Sequence, residues 1–321
     1  MRTRHCLTLS FCLLLGVAQA AAAQGYPSKP ITIVVPLTAG GPADIVTRLV
    51  AHSLASDFKQ PVVVENKPGA GGNIGAALVA NGAADGYTIL CATDTPVTVN
   101  PALYKKLSYD PVRQLAPVAL LATFAQMLVV HPSVAADSVP AFIELAKRKP
   151  VSFASGGNGS PGHLTGEYFA QRAGVKLTHV PYNGNSQAVN DLLGGQVDAG
   201  FLATPGVLPH VKAGKLKALG VTSAGRSEML PDVPAVGQAG PAGFEASFAL
   251  VCLAPTATPA AVIERLNGAI DRALAKPEVR TRLAALDMAP AGGSPAKAAA
   301  YLDHYRTLWS DLARKLNLQL D

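Results

Sequence analysis

Three loops that follow predicted strands contain the residues best suited to hold a small ligand. These loops are residues 37–44, 93–97 and 155–163, and they combine glycines and hydroxyl side chains with the starts of predicted helices. Backbone N–H groups at a helix start attract anions without a formal positive charge, and the loops contain almost no Lys or Arg. The pattern therefore predicts an anion-binding cleft. The alternative is that the glycines only form turns and that Asp44 is a first-turn helix charge.

Signatures of catalysis are weak in the same loops. Ser160 lacks the glycine two residues earlier that a nucleophile elbow requires, and His163 reads better as a helix-start residue than as a general base. Gly157, Gly159 and Gly162 fit the dinucleotide spacing, but no acidic residue ends a strand about 20 residues later. The histidines have no metal-ligand spacing. We therefore expect no enzyme, no cofactor and no metal, and the remaining enzymatic alternative is a hydrolase that uses Ser160 and His163.

The elements that position these loops alternate between strand and helix. Short apolar runs predict strands at 31–35, 62–64 and 88–91, and a second set at 151–154, 177–180, 197–202 and 217–221. This alternation predicts an α/β protein with two units, each built on a doubly wound parallel sheet. A further strand at 248–253 precedes two C-terminal helices, which begin near Pro259 and Pro295. The aromatic residues of the last helix are expected to pack onto the first unit.

The first 23 residues have the features of a secretory signal peptide. Arg2 and Arg4 precede a short apolar run at 7–17, and small residues at 18–20 or 21–23 suit cleavage. The apolar run is too short to span a membrane. The net charge of the whole chain, +6, includes both of these arginines, and the basic cluster at 147–149 has no interleaved aromatic residues. We expect an exported, periplasmic protein that does not bind nucleic acid.

Two of the four cysteines, Cys6 and Cys12, would be lost with the signal peptide. Cys91 and Cys252 remain, each inside an apolar run predicted as a strand. An oxidising compartment permits a disulfide between them if the strands are neighbours, and two buried thiols are the alternative.

Ordered motifs along nearly the whole mature chain resemble the Bug family, the TctC-type substrate-binding proteins of tripartite tricarboxylate transporters. One of them is the glycine-rich run 62–75, V-V-V-E-N-K-P-G-A-G-G-N-I-G. Other motifs are the residue pairs and runs at 26–27, 29–31, 85–88, 100–104, 157–160, 163–164, 179–182, 193–197, 214–216, 230–234 and 253–255, together with Pro36, Gly40, Gly41 and Asp44.

This resemblance implies a two-lobed periplasmic binding protein of the type II class, with lobes joined by crossing strands. Lobe 1 would comprise residues 24–123 and 247–321, and lobe 2 residues 124–246. A small carboxylated solute would lie between the lobes, and the receptor, expected to be a monomer, would deliver it to membrane subunits of a tripartite tricarboxylate transporter. A sensory protein that presents the solute to a membrane receptor is the alternative. The ligand-binding residues implied by the resemblance are Gly40, Gly41, Asp44, Thr93, Asp94, Ser155, Asn158, Gly159, Ser160, His163 and Tyr182.

Two departures from the family pattern bear on the solute. The run 37–39, Leu-Thr-Ala, replaces the aromatic residue and prolines that are usual there, which would alter the wall at the near end of the solute. Leu202 stands where the family often has an acidic residue after the equivalent of Phe201. Its loss favours a solute with an uncharged or aromatic far end over an amino acid.

Overall fold

The computed structural model describes residues 25–182 and 184–320 of the chain. The predicted signal peptide, residues 1–23, lies outside the described residues. The described residues form a mixed α/β structure with the strands β1 (Ile31–Val35), β2 (Val62–Asn66), β3 (Thr88–Thr93), β4 (Leu115–Val130), β5 (Ser152–Ser155), β6 (Thr178–Pro181), β7 (Ala199–Ala203), β8 (Lys217–Val221), β9 (Ser247–Pro255) and β10 (Ala289–Pro290).

Helices connect most of these strands, and a 3₁₀ turn at Ala70–Gly72 precedes the second helix. The helices are α1 (Pro42–Phe58), α2 (Asn73–Ala80), α3 (Thr95–Thr98), α4 (Asn100–Leu103), α5 (Val139–Arg148), α6 (Pro161–Ala173), α7 (Asn185–Leu193), α8 (Thr204–Lys212), α9 (Val236–Ala239), α10 (Ala260–Ala275), α11 (Pro277–Ala285) and α12 (Pro295–Leu316).

One curled sheet runs through the molecule in the order β2-β1-β3-β9-β4-β7-β5-β6, and β8 and β10 also pair with β4. The sheet has two halves. In the first half, β1 pairs in parallel with β2 and β3, and in the second half β5 pairs in parallel with β6 and β7. The long strand β4 joins the halves, because its first part pairs with β9 and its second part with β7 and β8, all antiparallel. The predicted α/β class with crossing strands is confirmed.

Helices cover both faces of each half, as a doubly wound sheet requires. In the first half, α1 and α10 pack on the face that carries Ile31 and Ile33, while α2 packs on the face that carries Val34. In the second half, α5 and α6 cover the face that carries Phe153, and α7 and α8 cover the face that carries Ala154. The three loops predicted to hold a ligand, 37–44, 93–97 and 155–163, therefore follow strands that are covered by helices.

Helix α12 packs on both halves, not on the first unit alone as expected. Its start contributes Leu302 to the core of the first half. Further along, Trp309 is fully buried, stacks on Phe248 with ring centroids 5.1 Å apart, and meets Tyr168 of α6 edge-on at 6.1 Å. The helix therefore bridges the segments predicted as lobe 1 and lobe 2, whose boundaries remain a prediction.

Cys91 and Cys252 form a disulfide in the structure. They face each other across the antiparallel pair β3 and β9, with Cα atoms 4.2 Å apart, and both side chains are buried. Of the two alternatives left by the sequence, the structure shows the disulfide.

Candidate functional site

A cavity of about 190 Å³ lies between the two halves, at the carboxyl ends of the parallel strands. Four helices begin at its wall, and they contribute Pro42 of α1, Pro161 of α6, Asn185 of α7 and Thr204 of α8. The wall is formed by Leu37, Pro42, Ala43, Thr93, Phe124, Ala125, Gln126, Ser160, Pro161, Gly162, Asn185, Ala203, Thr204, Pro205, Leu250, Leu286, Asp287 and Met288.

The electrostatic character of this cavity comes mainly from backbone dipoles. Each of the four helices has nine residues or more, so its unpaired N–H groups place a partial positive charge at the wall. Among the described residues that line the cavity, none is Lys or Arg, and Asp287 is the one with an acidic side chain. The arrangement suits one carboxylate group held by N–H and hydroxyl donors.

In the first-half loop, the Asp44 side chain forms hydrogen bonds within the loop and with neighbouring side chains. Its buried carboxylate accepts hydrogen bonds from the backbone N–H of Gly40 (2.9 Å), from Arg48 Nε (3.0 Å) and from Asn66 Nδ2 (2.9 Å). Burial raises the pKa of Asp44, but the hydrogen bonds from Arg48, Gly40 and Asn66 outweigh it, so the pKa lies below its ordinary value. Gly41 is the N-cap of α1. These three predicted residues fix the start of α1, whose Pro42 and Ala43 reach the cavity.

Thr93 and Asp94 point to opposite sides of the sheet. Thr93 lines the cavity, and its hydroxyl is 2.9 Å from that of Thr95. Asp94 is fully buried on the other side, near Tyr301 of α12. Burial raises the pKa of Asp94 to about 8. The structure therefore places Thr93 in the cavity and Asp94 behind it.

In the second-half loop, hydroxyl and imidazole groups form a connected network. Ser155 Oγ lies 2.7 Å from His179 Nε2 and 3.4 Å from Ser160 Oγ. The rings of His163 and His179 stack with centroids 4.0 Å apart, and His163 Nδ1 accepts a hydrogen bond from the N–H of Gly159. Ser160 alone of these residues lines the cavity. The network fixes the start of α6 against the sheet.

Ser160 has the geometry of a helix cap. Its hydroxyl accepts a hydrogen bond from the backbone N–H of His163, and the residue has extended dihedral angles immediately before Pro161. The imidazole of His163 faces away from this hydroxyl: one nitrogen accepts from Gly159, and the other lies 3.9 Å from Glu167. This arrangement does not form the nucleophile and base pair that the hydrolase alternative requires.

Two predicted residues lie outside the cavity wall. Asn158 is exposed at the tip of the loop. Tyr182 donates its backbone N–H to the carbonyl of Ser155, and its ring packs against the second-half core; burial raises the pKa of its hydroxyl. Neither residue is part of the cavity wall in the structure.

Several of the residues that line the cavity were not predicted from the sequence, among them Asn185, Thr204 and Asp287. Thr204 followed by Pro205 repeats the hydroxyl-proline pattern of Ser160 and Pro161 at a helix start, and this signal could have identified it. No comparable motif surrounds Asp287, which follows α11.

The two departures from the family pattern have different outcomes. Leu37 lines the cavity, which agrees with the expected change in its wall. Leu202, however, is fully buried in the second-half core among Met127 and Val207. Leu202 does not line the cavity, so nothing in its wall supports the expectation drawn from the lost carboxylate, which stays a prediction about the solute.

Neither a metal centre nor a membrane span is found in the described part of the chain. No cluster of three or more His, Cys, Asp or Glu side chains there could hold a metal ion. None of its helices has the length and apolarity to cross a bilayer.

Comparisons with known proteins agree with this architecture. The family model described as tripartite tricarboxylate transporter family receptor matches residues 46–318. Protein BugT of Bordetella pertussis is 35% identical over 313 residues, which cover 97% of this chain and 96% of BugT.

Solved structures give the same result. R. palustris Rpa4515 with adipate has a TM-score of 0.82 at 32% identity, with 92% of this chain and 100% of that chain covered. MatC (Rpa3494) from Rhodopseudomonas palustris with bound malate has a TM-score of 0.78 at 31% identity, with 89% and 99% covered. The proteins of this family are solute-binding receptors and not enzymes. The predicted resemblance is confirmed: the chain belongs to the tripartite tricarboxylate transporter family of receptors.

Proposed function

We propose that this protein is a periplasmic receptor that encloses the carboxylate group of a small solute between its two halves. The observation that carries the proposal is the cavity of about 190 Å³ at which four helices begin and which no Lys or Arg of the described residues lines. Such a wall supplies hydrogen-bond donors and partial positive charge without the desolvation cost of a buried cation.

The relatives support the class of solute. Adipate and malate, bound to two of the similar proteins, are small carboxylic acids. We propose further that the receptor delivers its solute to the membrane subunits of a tripartite tricarboxylate transporter, that residues 1–23 direct its export and are removed, and that it acts as a monomer.

Closure of the two halves would contribute to binding. Gly159 in the second-half loop already lies close to Leu103 of α4 and to Leu320, so the loop meets the first half and the C-terminal segment. When a solute bridges the halves, its carboxylate would exchange water for fixed N–H donors.

The test is calorimetric binding by mature protein that has been unfolded, freed of solute and refolded. We expect small carboxylic acids to bind and their primary amides to bind at least tenfold more weakly, because an amide lacks the negative charge that the helix starts attract. A folded, empty protein that binds no carboxylic acid, or binds acids and amides alike, would contradict the proposal.

A matched pair of variants distinguishes an effect on solute binding from an effect on folding stability. Ser160 and Ser294 cap α6 and α12 with the same dihedral angles, each precedes a proline, and each accepts a backbone hydrogen bond of 3.3 Å. Ser160→Ala and Ser294→Ala should each cost about 1 kcal/mol of stability. Only Ser160→Ala should also weaken solute binding, because Ser160 lines the cavity and Ser294 does not.

A further inference from the structure

A wider cavity of about 630 Å³ adjoins the solute cavity on one side. Five residues form the boundary because they line both cavities: Phe124, Ala125, Thr204, Asp287 and Met288. The residues at the starts of α1, α6 and α7 line only the smaller cavity. The smaller cavity therefore has two unlike ends, one formed by three of the helix starts and one at which Asp287 faces the wider space.

Asp287 places a formal negative charge at its end of the smaller cavity, where Thr204 at the start of α8 is also part of the wall. Asp287 follows the C-terminus of α11, where the N–H groups of Leu286, Asp287 and Met288 pair with carbonyls of the last turn. Its Oδ1 accepts a 2.6 Å hydrogen bond from the hydroxyl of Ser227, while no partner for Oδ2 is found in the described part of the chain. The side chain is half-buried and lines the cavity. One carboxylate oxygen is thus left to interact with a solute.

The cationic side chains of the wider cavity do not line the smaller one. Arg226 and Arg280 line only the wider cavity, and both are exposed. Arg226 also donates a hydrogen bond to the carbonyl of Pro231 in its own loop, and Glu228 lines the same wider cavity. Water screens exposed charges of this kind, and Asp287 carries the one formal charge among the described residues that line the smaller cavity.

We propose that Asp287 determines specificity by selecting a solute whose far end is an ammonium group. This inference rests on the proposed function: the solute carboxylate lies at the helix starts, and the ammonium group donates to the free oxygen of Asp287. A second carboxylate at the far end would meet the like charge of Asp287, which opposes binding. The solute class is therefore an ω-amino carboxylic acid, bound in preference to a dicarboxylic acid of the same length.

The experiment compares acids of equal chain length on the refolded, solute-free mature protein. Calorimetry would measure the dissociation constants of 5-aminopentanoate, pentanoate and glutarate, and of the corresponding four- and six-carbon sets. We expect the amino acid to bind at least tenfold more tightly than the dicarboxylic acid in the best-fitting set, with the monocarboxylic acid between them.

Variants connect this preference to Asp287. Asp287→Asn removes the charge, and asparagine tolerates the left-handed backbone (φ 52°) found at this position. It should reduce the preference for the amino acid over the dicarboxylic acid at least tenfold. Glu228→Gln makes the same charge change in the wider cavity alone and should leave the preference within about twofold, since exposed charges are screened.

The outcomes separate the two proposals. If no acid binds to the folded protein, the proposed function and this inference both fail. If acids bind but the dicarboxylic acid of each set binds as tightly as the amino acid or more tightly, the function stands and the role of Asp287 is overturned. An unchanged preference in folded Asp287→Asn would overturn it as well. If that variant does not fold, the wild-type series still overturns the proposal when the dicarboxylic acid of each set binds as tightly as the amino acid.

Discussion

Ser227 and Asp287 are joined by a 2.6 Å hydrogen bond that crosses between the two halves of the protein. Ser227 is buried in the loop after β8, which belongs to the second half, and Asp287 follows α11, which packs on the first half. The same hydroxyl accepts the backbone N–H of Met229 at 3.1 Å. The bond therefore fixes a loop of one half to the edge of the solute cavity on the other.

Removal of this bond should weaken solute binding. Ser227→Ala deletes the hydroxyl and leaves the carboxylate of Asp287, so it should open the halves without changing the charge at the cavity. A hydrogen bond to a charged group contributes about 1.5–3 kcal/mol, which corresponds to an affinity loss of roughly tenfold or more if it forms only on closure. Stopped-flow dissociation rates would measure it. An unchanged dissociation rate would show that the bond does not contribute to closure.

Asp94 should make the protein less stable as the pH rises from about 4 to about 8. Its folded pKa is raised to about 8, chiefly by burial, whereas an unfolded aspartate has a pKa of about 3.9. Between these values the folded state holds a proton that the unfolded state has lost, so the free energy of unfolding falls with increasing pH. Asp94→Asn should remove about 2–4 kcal/mol of this decline between pH 5 and pH 8. Urea denaturation at the two pH values measures the difference.

An exposed carboxylate provides the control for Asp94. Glu264 lies on the outer face of α10, and Glu264→Gln should leave the wild-type pH dependence in place. If the free energy of unfolding changed with pH equally in wild-type protein and in Asp94→Asn, the prediction of a buried carboxyl group that titrates near pH 8 would be contradicted.

The sequence predicts where the loops of the site lie but not which of their side chains face the cavity, as Thr93 and Asp94 illustrate. The loops themselves follow from local signals, namely glycines, hydroxyls and prolines after short apolar strands, and the structure places these loops at the ends of β1, β3 and β5. Thr93 ends β3, and Asp94 follows it with helical dihedral angles, so the strand pattern does not tell which of them faces the cavity. Thr93 lines the cavity, whereas Asp94 lies near Tyr301 of α12, more than 200 residues away in the sequence.

Asp287 and strand β4 show what the sequence does not predict. Asp287 reaches the cavity because the chain returns to the first half after β9, and no local pattern marks that contact. The apolar stretch at 118–130 does not indicate that β4 pairs with four other strands. Hydrophobic periodicity predicts which residues are buried, but not which strands pair with each other. Contacts between distant segments determined both features.

The disulfide between Cys91 and Cys252 should stabilise the folded protein substantially. It links residues 161 positions apart, and closing a long loop restricts the unfolded chain. Reduction should lower the free energy of unfolding by about 2–4 kcal/mol. Urea denaturation of oxidised and reduced wild-type protein measures this, and Cys91→Ala combined with Cys252→Ala should resemble the reduced form. Alkylation of both cysteines in urea without a reductant would show that they are free thiols.

The stacked pair His163 and His179 should destabilise the protein in acid. Burial lowers the pKa of His163 to about 4, and burial together with the neighbouring His163 lowers that of His179 to about 3. In the unfolded chain both have a pKa of about 6.5. Below that pH the unfolded state takes up protons that the folded state cannot, so the free energy of unfolding falls as the pH drops from about 6.5 towards 4.

A variant of one ring tests this acid sensitivity. His163→Gln removes one titrating group and should reduce the loss of stability between pH 7 and pH 5 by about 1–2 kcal/mol. His52 is exposed on α1, so His52→Gln should retain the wild-type loss. Because His179 would remain, part of the loss should persist in His163→Gln. If both variants and the wild type lost the same stability, the two rings would not be buried neutral imidazoles in the folded protein.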